Sequence, residues 1–338
     1  MRFNAIQFIG TQRSGSNLLR LMLDSHAGIS APHPPHLLRT FFPLLPYYGD
    51  LHQKNNRANL INDMCDWVDA NPVPWEGVKF DREMMLESGS TIMDVFRQVY
   101  EARMQHDGAS IWCCKSTFNI NYVEDLETSV KPFYIYLYRD GRDVAASFKK
   151  AIVGPKHIYH LATKWAIEQK SVREFLKTIA PERYTVLAYE ALLDNPKACV
   201  QEVCKKLGIA YEPQMLEFYV SNESRRTADS GEMWKNVLNP VMKNNTGKFQ
   251  QELTTSEIAL FESIAGEALE LLDYSKVSED RVSYESDIPS FEVQNQQLQE
   301  AARKNASLQD KEKRAAQKEL LIQIQHRLGM TQHEPNPA

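Results

Sequence analysis

The chain has 338 residues, of which 43% are hydrophobic and 25% charged, a composition that is ordinary for a soluble globular protein. This length suffices for one large α/β domain or two small ones. The formal net charge of −5 gives no reason to expect binding to nucleic acid, so an anion site would have to be a local concentration of positive charge. No stretch reaches a membrane-spanning length, and residues 1–10 lack the length and flanks of a signal peptide.

The five cysteines bear on the compartment and on metal binding. Their number is odd and no pair has C-x-x-C spacing, which favours buried free thiols over disulfides or metal ligands. The adjacent Cys113 and Cys114 fall on a predicted strand and should therefore face opposite sides of it. We expect no bound metal ion and a reducing, cytoplasmic location.

A glycine-rich turn follows the first apolar run of the chain, at 4–9, and precedes a helical pattern at 17–25. It reads Phe8-Ile9-Gly10-Thr11-Gln12-Arg13-Ser14-Gly15-Ser16-Asn17-Leu18-Leu19. Strand, glycine turn and helix N-terminus together form an arrangement that holds a phosphate or a sulfate. The turn is similar to a P-loop, G-x-x-x-x-G-K-[ST], but the lysine is missing and the cation, Arg13, lies inside the loop. The turn therefore predicts an anion site that is not built for ATP with magnesium.

Apolar strands alternate with helical segments along the rest of the chain. The pattern predicts further strands at 110–114, 133–138 and 184–188, and helices over 57–70, 92–105, 156–179 and 255–272. This alternation implies an α/β fold with a central parallel sheet flanked by helices. Ligands of such sheets bind beyond the carboxyl ends of the strands. Side chains suited to an anion or a nucleotide follow those ends: Arg13, Lys115, Arg139 and Tyr189.

A second candidate anion motif follows the strand at 133–138. It reads Tyr138-Arg139-Asp140-Gly141-Arg142-Asp143-Val144-Ala145-Ala146-Ser147-Phe148. Asp143 is positioned to cap the next helix through its side-chain oxygen. Arg139 leaves the strand and Ser147 lies in the first turns of that helix, so both are expected to reach one anion. An exposed loop salt bridge is the alternative interpretation of this string.

These motifs, in this order, resemble those of the sulfotransferases that use 3′-phosphoadenosine 5′-phosphosulfate (PAPS). The later segments Tyr189-Glu190-Ala191-Leu192 and Asn245-Thr246-Gly247-Lys248-Phe249 are similar to further motifs of that family. The resemblance covers about residues 1–275, is closest to the bacterial and carbohydrate-type branch, and implies a three-layer, P-loop-like fold. It also implies the residues of the donor site. The first motif would hold the 5′-phosphosulfate, Arg139 and Ser147 the 3′-phosphate, and Tyr189 would lie near the adenine. The donor-binding set is Arg13, Ser14, Gly15, Ser16, Asn17, Leu18, Arg139, Ser147, Tyr189 and Lys248.

The residues that would catalyse the transfer depart from the family pattern. Sulfuryl transfer needs fixed positive donors, here Arg13 and the backbone N–H groups of the turn, and a base for the acceptor hydroxyl. The Lys-Thr-His of small-molecule sulfotransferases reads Lys115-Ser116-Thr117 here, so the lysine matches and the histidine does not. The glutamate that other members place after the first helix is absent. His36 and His33 stand in that segment, and either can serve as the base.

The resemblance therefore implies transfer of a sulfuryl group from PAPS to a hydroxyl or amine, with release of adenosine 3′,5′-bisphosphate. A P-loop kinase and a non-catalytic nucleotide-binding relative are the alternatives. The acceptor is expected to bind against segments 40–75 and 152–165, and a small metabolite, a lipid and a saccharide all stay open. The aromatic stretch 40–48 either lines this pocket or packs in the core.

Three regions are expected along the chain: a sulfotransferase domain at 1–275, a polar linker at 276–290, and a C-terminal helical tail at 291–330. The tail is rich in Gln, Glu, Lys, Arg and Ala, with a thin apolar stripe that includes Leu298, Leu320, Ile324 and Leu328. It is predicted to be a solvated helix or, alternatively, a helix for self-association.

Overall fold

The computed structural model describes residues 3–306 and 308–330. These residues include a five-stranded sheet whose strands are all parallel and run in the order β2-β3-β1-β4-β5. The strands are β1 (Ala5–Ile9), β2 (Ile29–Ser30), β3 (Ile111–Cys114), β4 (Phe133–Tyr138) and β5 (Tyr184–Ala188). The predicted central parallel sheet is thus confirmed. Strand β2 was not predicted, because two residues carry no periodic signal.

The α-helices of the described residues surround this sheet. They are α1 (Ser16–Asp24), α2 (Leu37–Phe41), α3 (Leu45–Tyr48), α4 (Lys54–Asp69), α5 (Arg82–Ser88), α6 (Ile92–His106), α7 (Val123–Ser129), α8 (Gly141–Lys150), α9 (Ile158–Leu176), α10 (Tyr189–Asp194), α11 (Pro196–Leu207), α12 (Asn222–Asp229), α13 (Phe249–Glu252), α14 (Thr255–Leu271), α15 (Ile288–Asn305) and α16 (Leu308–Arg327). Short 3₁₀ turns occur at Phe42–Leu44, Thr117–Tyr122, Pro181–Arg183, Pro213–Val220, Glu232–Leu238 and Glu285–Asp287. Each of these helices is too short or too polar to cross a bilayer, as far as the structure describes the chain.

Side chains alternate across the strands, as the two-residue period of a strand requires. On β1, Ile6 and Phe8 belong to one buried cluster, together with residues of α1 and α11. Ile9 belongs to a cluster on the opposite face, with residues of α8, α9 and α14. On β3, Cys113 and Cys114 likewise belong to different clusters, so the predicted opposite orientation of the two thiols is confirmed. Helices on both faces of one sheet make a three-layer α/β fold.

The chain beyond α14 packs back onto the rest of the molecule. The backbone N–H groups of Val277 and Ser278 donate to the Glu262 carboxylate at 3.0–3.2 Å. The Asn295 side-chain oxygen, on α15, accepts from two backbone N–H groups at the start of α9. Helix α16 packs against α4, and Gln317 donates to the Trp67 carbonyl at 3.1 Å. Polar and apolar contacts both attach this region, while a domain boundary at 275 stays a prediction.

The apolar stripe of α16 lies against the chain's own core. Ile324 is only 2% exposed and belongs to the same buried cluster as Met64 and Trp67, with Leu320 and Leu328 packed at its edge. Arg327 pairs with Asp63 beside this contact. The stripe therefore has a partner within the chain, which distinguishes α16 from the freely solvated tail expected from its composition.

Replacement of Ile324 by Ala should detach α16. Truncation of a buried isoleucine costs on the order of 2 kcal/mol or more, and a terminal helix absorbs that loss by local opening. Ile322→Ala, at a position that is 53% exposed on the same helix, is the matched control. Hydrogen exchange should show lost protection over 308–327 for the first variant alone. Equal protection in both variants would contradict this docking.

Candidate active site

The glycine-rich turn between β1 and α1 has the backbone conformation of an anion-binding loop. Gly10 and Gly15 both have positive φ, +122° and +88°. A Cβ on Gly10 would lie 2.8 Å from the Leu137 carbonyl oxygen, and a Cβ on Gly15 would overlap the Tyr189 ring. The backbone hydrogen bonds of α1 begin with the bond from the Leu19 N–H to the Gly15 carbonyl. The N–H groups of residues 16–18 precede this bond and have no partner within the helix, so an anion can bind them.

Two guanidinium groups lie beside this turn. Arg13 donates from Nε to Ser147 Oγ at 3.0 Å, and Arg139 donates from Nη1 to the Arg13 carbonyl at 3.4 Å. Burial, with Arg139 nearby, lowers the pKa of Arg13 to about 10, so Arg13 is still a cation at neutral pH. The sequence placed Arg13 and Ser147 in different motifs, and the fold joins them directly.

Asp143 fixes Arg139 in place. Its carboxylate accepts from Arg139 Nη2 at 3.2 Å and from the backbone N–H groups of Gly247 and Phe249, both at 2.9 Å. The prediction that Asp143 caps the following helix is wrong: Asp140 caps α8 by accepting from the Arg142 N–H at 2.9 Å. Helix α8 begins at Gly141, before Asp143, so Asp143 lies within the helix and its carboxylate contacts the loop that contains Gly247.

The other motifs that the sequence predicts for the donor site meet at the same place. The Tyr189 ring packs over Gly15, and the guanidinium carbon of Arg139 lies 4.6 Å from the ring centroid. Asn245 donates from Nδ2 to the Tyr189 hydroxyl at 2.6 Å, and its carbonyl accepts from Arg139 Nη2 at 2.8 Å. Lys248 follows on the same loop and lines the same cavity. Four motifs that are spread over 240 residues of sequence therefore form one continuous wall.

That wall belongs to a cavity of about 1070 Å³, slightly larger than the usual volume for a single small ligand. Nearly every residue predicted for the site lines it: Arg13, Gly15, Ser16, Asn17, Leu18, His33, His36, Lys115, Arg139, Ser147, Tyr189 and Lys248. Ser14 is the exception, since it is buried and does not line the cavity. Two buried polar atoms at this end, Ser14 Oγ and Arg139 Nε, have no hydrogen-bond partner among the described residues.

Two histidines and a lysine form the other end of the cavity. His36 has a left-handed backbone (φ +56°), and its Nδ1 lies 2.8 Å from Ser116 Oγ. His33 is buried, and neither of its ring nitrogens has a hydrogen-bond partner within the described part of the chain. Burial, with Arg20 and Arg13 nearby, lowers the pKa of Lys115 to about 7. Burial and Lys115 hold the pKa of both imidazoles well below the usual value, so both rings are neutral at pH 7.

Buried polar residues that the sequence did not single out hold these groups in place. Gln7, on β1, donates to the Ser116 carbonyl at 3.0 Å and accepts from Asn119 at 2.9 Å. Glu223 pairs with Arg20 at 2.8 Å and accepts from the His33 N–H at 3.2 Å. A polar glutamine within an apolar strand could have indicated a structural role for Gln7. No sequence pattern indicated that Glu223 contacts His33, because the two residues are 190 positions apart.

The predicted acceptor segments contribute to the cavity, and so does the tail. Segment 40–75 provides Thr40, Trp67, Asn71 and Pro72, and segment 152–165 provides Ile152, Val153, Gly154, Pro155 and Lys164. Most of the aromatic stretch 40–48 packs elsewhere, with Phe41 and Tyr48 buried in the core. The side chains that sequence reasoning missed come from α15 and α16: Gln299, Arg303, Arg314, Gln317 and Leu321.

Comparison with known proteins agrees with this fold. A family model described as the sulfotransferase family matches residues 6–213, more than half of the chain. The chain therefore belongs to the sulfotransferase family, and its class is that of a sulfotransferase enzyme. No curated protein matched it.

Solved structures of two sulfotransferase domains share the fold. One is the sulfotransferase domain of the olefin synthase of Synechococcus PCC 7002, with 22% identity, a TM-score of 0.53, and coverage of 78% of this chain and 95% of that one. The other is the sulfotransferase domain from the curacin biosynthetic pathway, with 20% identity, a TM-score of 0.56, and coverage of 81% and 99%. At these identities the likeness concerns the fold alone.

Replacement of Lys115 by Met should raise the pKa values of both His33 and His36, because a positive charge beside the two rings is removed while their burial is kept. Histidine NMR titration measures this, with His33→Gln and His36→Gln used to assign the two signals. Unchanged or lower values in Lys115→Met would show that the lysine does not act on the rings.

Proposed function

We propose that this chain transfers a sulfuryl group from PAPS to a hydroxyl or amine acceptor and releases adenosine 3′,5′-bisphosphate. The observation that carries the proposal is the meeting of four anion- and nucleotide-type motifs at one end of a cavity whose other end holds two neutral histidines. Arg139, which lines the cavity, has a buried Nε without a hydrogen-bond partner among the described residues, which fits a ligand rich in acceptor oxygens.

The residues at the turn end of the cavity suit this donor. The N–H groups of 16–18 and Arg13 would hold the 5′-phosphosulfate. Arg139 and Ser147 would hold the 3′-phosphate, with Lys248 beside them. Tyr189 would lie near the adenine, with its ring beside both Gly15 and Arg139. When bound, the donor supplies an electron-poor sulfur whose leaving group is a phosphate.

Fixed positive charge is the main contribution of the protein to the transfer. Arg13 and the N–H groups of the turn stabilise the negative charge that grows on the leaving phosphate. Lys115 lines the same cavity as Arg13 and the two histidines, lies close enough to affect the pKa of both rings, and is suited to stabilise the group in transit. An anion beside Lys115 raises its pKa from about 7 and keeps it protonated.

His36 is the better of the two candidate bases. Its Nδ1 faces Ser116 Oγ, which leaves Nε2 for the cavity. Because its pKa is well below the usual value, the ring is neutral and able to accept a proton at pH 7. His33 is more deeply buried, against the Trp234 ring at 5.0 Å between centroids, and suits a hydrogen bond to the acceptor.

Titration with adenosine 3′,5′-bisphosphate and with ATP, both without magnesium, distinguishes this function from that of a P-loop kinase. We expect tighter binding of the bisphosphate, because Arg139 and Ser147 provide a site for a 3′-phosphate. Arg139→Met should weaken that binding about 30-fold, the effect of one lost charge-assisted hydrogen bond. The control is Arg281→Met, at an exposed arginine far along the chain. Tighter binding of ATP, or an absolute need for magnesium, would refute the sulfotransferase proposal.

Turnover of PAPS with a mixed acceptor library tests the base and separates an enzyme from a binding protein. His36→Gln should lower kcat by about 10²-fold or more and leave the affinity for adenosine 3′,5′-bisphosphate unchanged. His33→Gln is the matched variant, and its main expected effect is a higher KM for the acceptor. A larger loss of kcat in His33→Gln than in His36→Gln would exchange the two roles. Absence of sulfated product from the unmodified protein would favour the non-catalytic alternative.

A further inference from the structure

The last two helices contribute to the cavity from outside the region that the family model matches, residues 6–213. Their cavity-lining side chains are Gln299 and Arg303 on α15 and Arg314, Gln317 and Leu321 on α16. Helix α16 is therefore a wall of the cavity as well as the last helix that the structure describes.

One face of α16 meets the cavity in the middle of the helix and the core near its end. Arg314, Gln317 and Leu321 all line the cavity, and their spacing of three and four residues places them on one side of the helix. Ile324 continues this spacing, is only 2% exposed, and lies in the core cluster with Met64. The helix is thus anchored by its C-terminal end, while the turns before the anchor line the cavity.

The cavity-lining turns of α16 contact two tryptophans that come from distant parts of the chain. Gln317 donates from Nε2 to the Trp67 carbonyl at 3.1 Å, and the guanidinium carbon of Arg314 lies 5.8 Å from the Trp234 ring centroid. Trp67 belongs to a segment that is expected to bind the acceptor, and the Trp234 ring contacts the His33 ring at 5.0 Å between centroids. Helix α16 therefore lies at the end of the cavity that holds the histidines.

Few interactions hold α16 in this position. Among its side chains that the structure describes, Ile324 is the one that is fully buried. The bond from Gln317 to the Trp67 carbonyl can be replaced by water when the helix leaves, and the side chain of Arg327, which pairs with Asp63, is 43% exposed. A helix with so little buried apolar surface opens at a free energy well below that of global unfolding.

The backbone is broken between α16 and the helix before it. Helix α15 ends at Asn305, and Ala306 has an extended backbone conformation with φ −60° and ψ 141°. Helix α15 has a separate attachment, because the Asn295 side-chain oxygen accepts from the Lys156 and His157 N–H groups at 2.7 and 3.1 Å. Helix α16 can therefore move about this break while α15 stays in place.

We propose that α16 is the gate of the cavity: it undocks as a unit to admit a ligand to the histidine end and docks again to close the cavity around that ligand. The identity of this ligand as the acceptor rests on the proposed function, whereas the opening and closing of the cavity do not depend on it. The hinge is the break at Ala306, and the latch is the contact of Ile324 and Arg327 with the core and with Asp63.

A gate at this place suits the transfer of a reactive group. Water competes with any acceptor hydroxyl for a sulfuryl group, so a site that closes only after the acceptor has entered limits hydrolysis of the donor. Exclusion of water also strengthens the interactions between the cavity cations and their ligands. Closure by a helix that opens locally meets both needs and still allows the product to leave.

The test measures access to the cavity in the full chain without any ligand. Thr40 lines the cavity and is 8% exposed, so Thr40→Cys places a thiol inside it at little change in volume. The rate at which N-phenylmaleimide labels this thiol is followed by mass spectrometry of peptides, which separates it from the native cysteines. Cys199, which is half-buried on α11 and does not line the cavity, is the internal reference.

Two variants of the latch, each combined with Thr40→Cys, connect this access to α16. Ile324→Ala should raise the labelling rate about 30-fold and Arg327→Gln about threefold, because both favour the undocked helix. Ile322→Ala, at an exposed position of the same helix, is the control and should leave the rate unchanged. In each variant the increase should equal the loss of hydrogen-exchange protection over 308–327, since both follow one opening equilibrium.

An unchanged labelling rate in a variant whose α16 has lost protection would overturn the inference, because the cavity would then be open by another route. An equal rise at Cys199 would also overturn it, since that result indicates global unfolding. If Ile324→Ala does not fold, the milder Arg327→Gln decides by the same criteria.

The outcomes also separate this inference from the proposed function, because the measurement contains no donor, acceptor or turnover. A chain that gates its cavity but does not bind adenosine 3′,5′-bisphosphate would refute the function and leave the gate standing. A chain that binds the bisphosphate but labels at the same rate in all variants would do the opposite.

Discussion

A single buried carboxylate holds together the end of the cavity that is formed by the glycine turn, Arg139 and the loop of Lys248. Asp143 accepts from the Arg139 side chain and from two backbone N–H groups of the loop that carries Lys248. These bonds join the end of β4 to a loop more than 100 residues later, and Asn245 extends the connection to Tyr189. Because an unpaired carboxylate in this position would be costly, the loop and the arginine are fixed together. The cavity wall therefore depends on the hydrogen bonds that Asp143 accepts.

The rest of the cavity is an arrangement of like charges kept close by packing. Arg13 and Arg139 are neighbours, and Lys115 lies near Arg13 and both histidines. Burial and mutual repulsion lower the pKa values of Arg13 and Lys115, and they keep His33 and His36 neutral. The same electrostatics thus gives the cavity both cations and two neutral imidazoles. A further carboxylate beside these groups would weaken this effect.

Sequence reasoning found the parts of the site whose signal is local. The glycine turn, the string from Arg139 to Ser147 and Tyr189 each combine a strand end with the next helix, and a parallel sheet brings such ends together. Asp143 was predicted to cap the next helix, because capping is the interaction that the neighbouring residues suggest. Its backbone partners, Gly247 and Phe249, lie more than 100 positions away in the sequence. Glu223 and the cavity residues of α16 were missed for the same reason: their contacts depend on how remote segments pack, which a periodic pattern does not encode.

The order of the strands has a consequence for how the chain acquires its cavity during synthesis. Strand β1 occupies the middle of the sheet, but it pairs with β3 and β4, whose residues follow it by more than 100 positions. Pairings this distant in sequence carry a high entropic cost of loop closure and form slowly. The glycine turn leaves the ribosome well before α16, which lines the same cavity. A nascent chain therefore contains the glycine turn long before the cavity around it is complete.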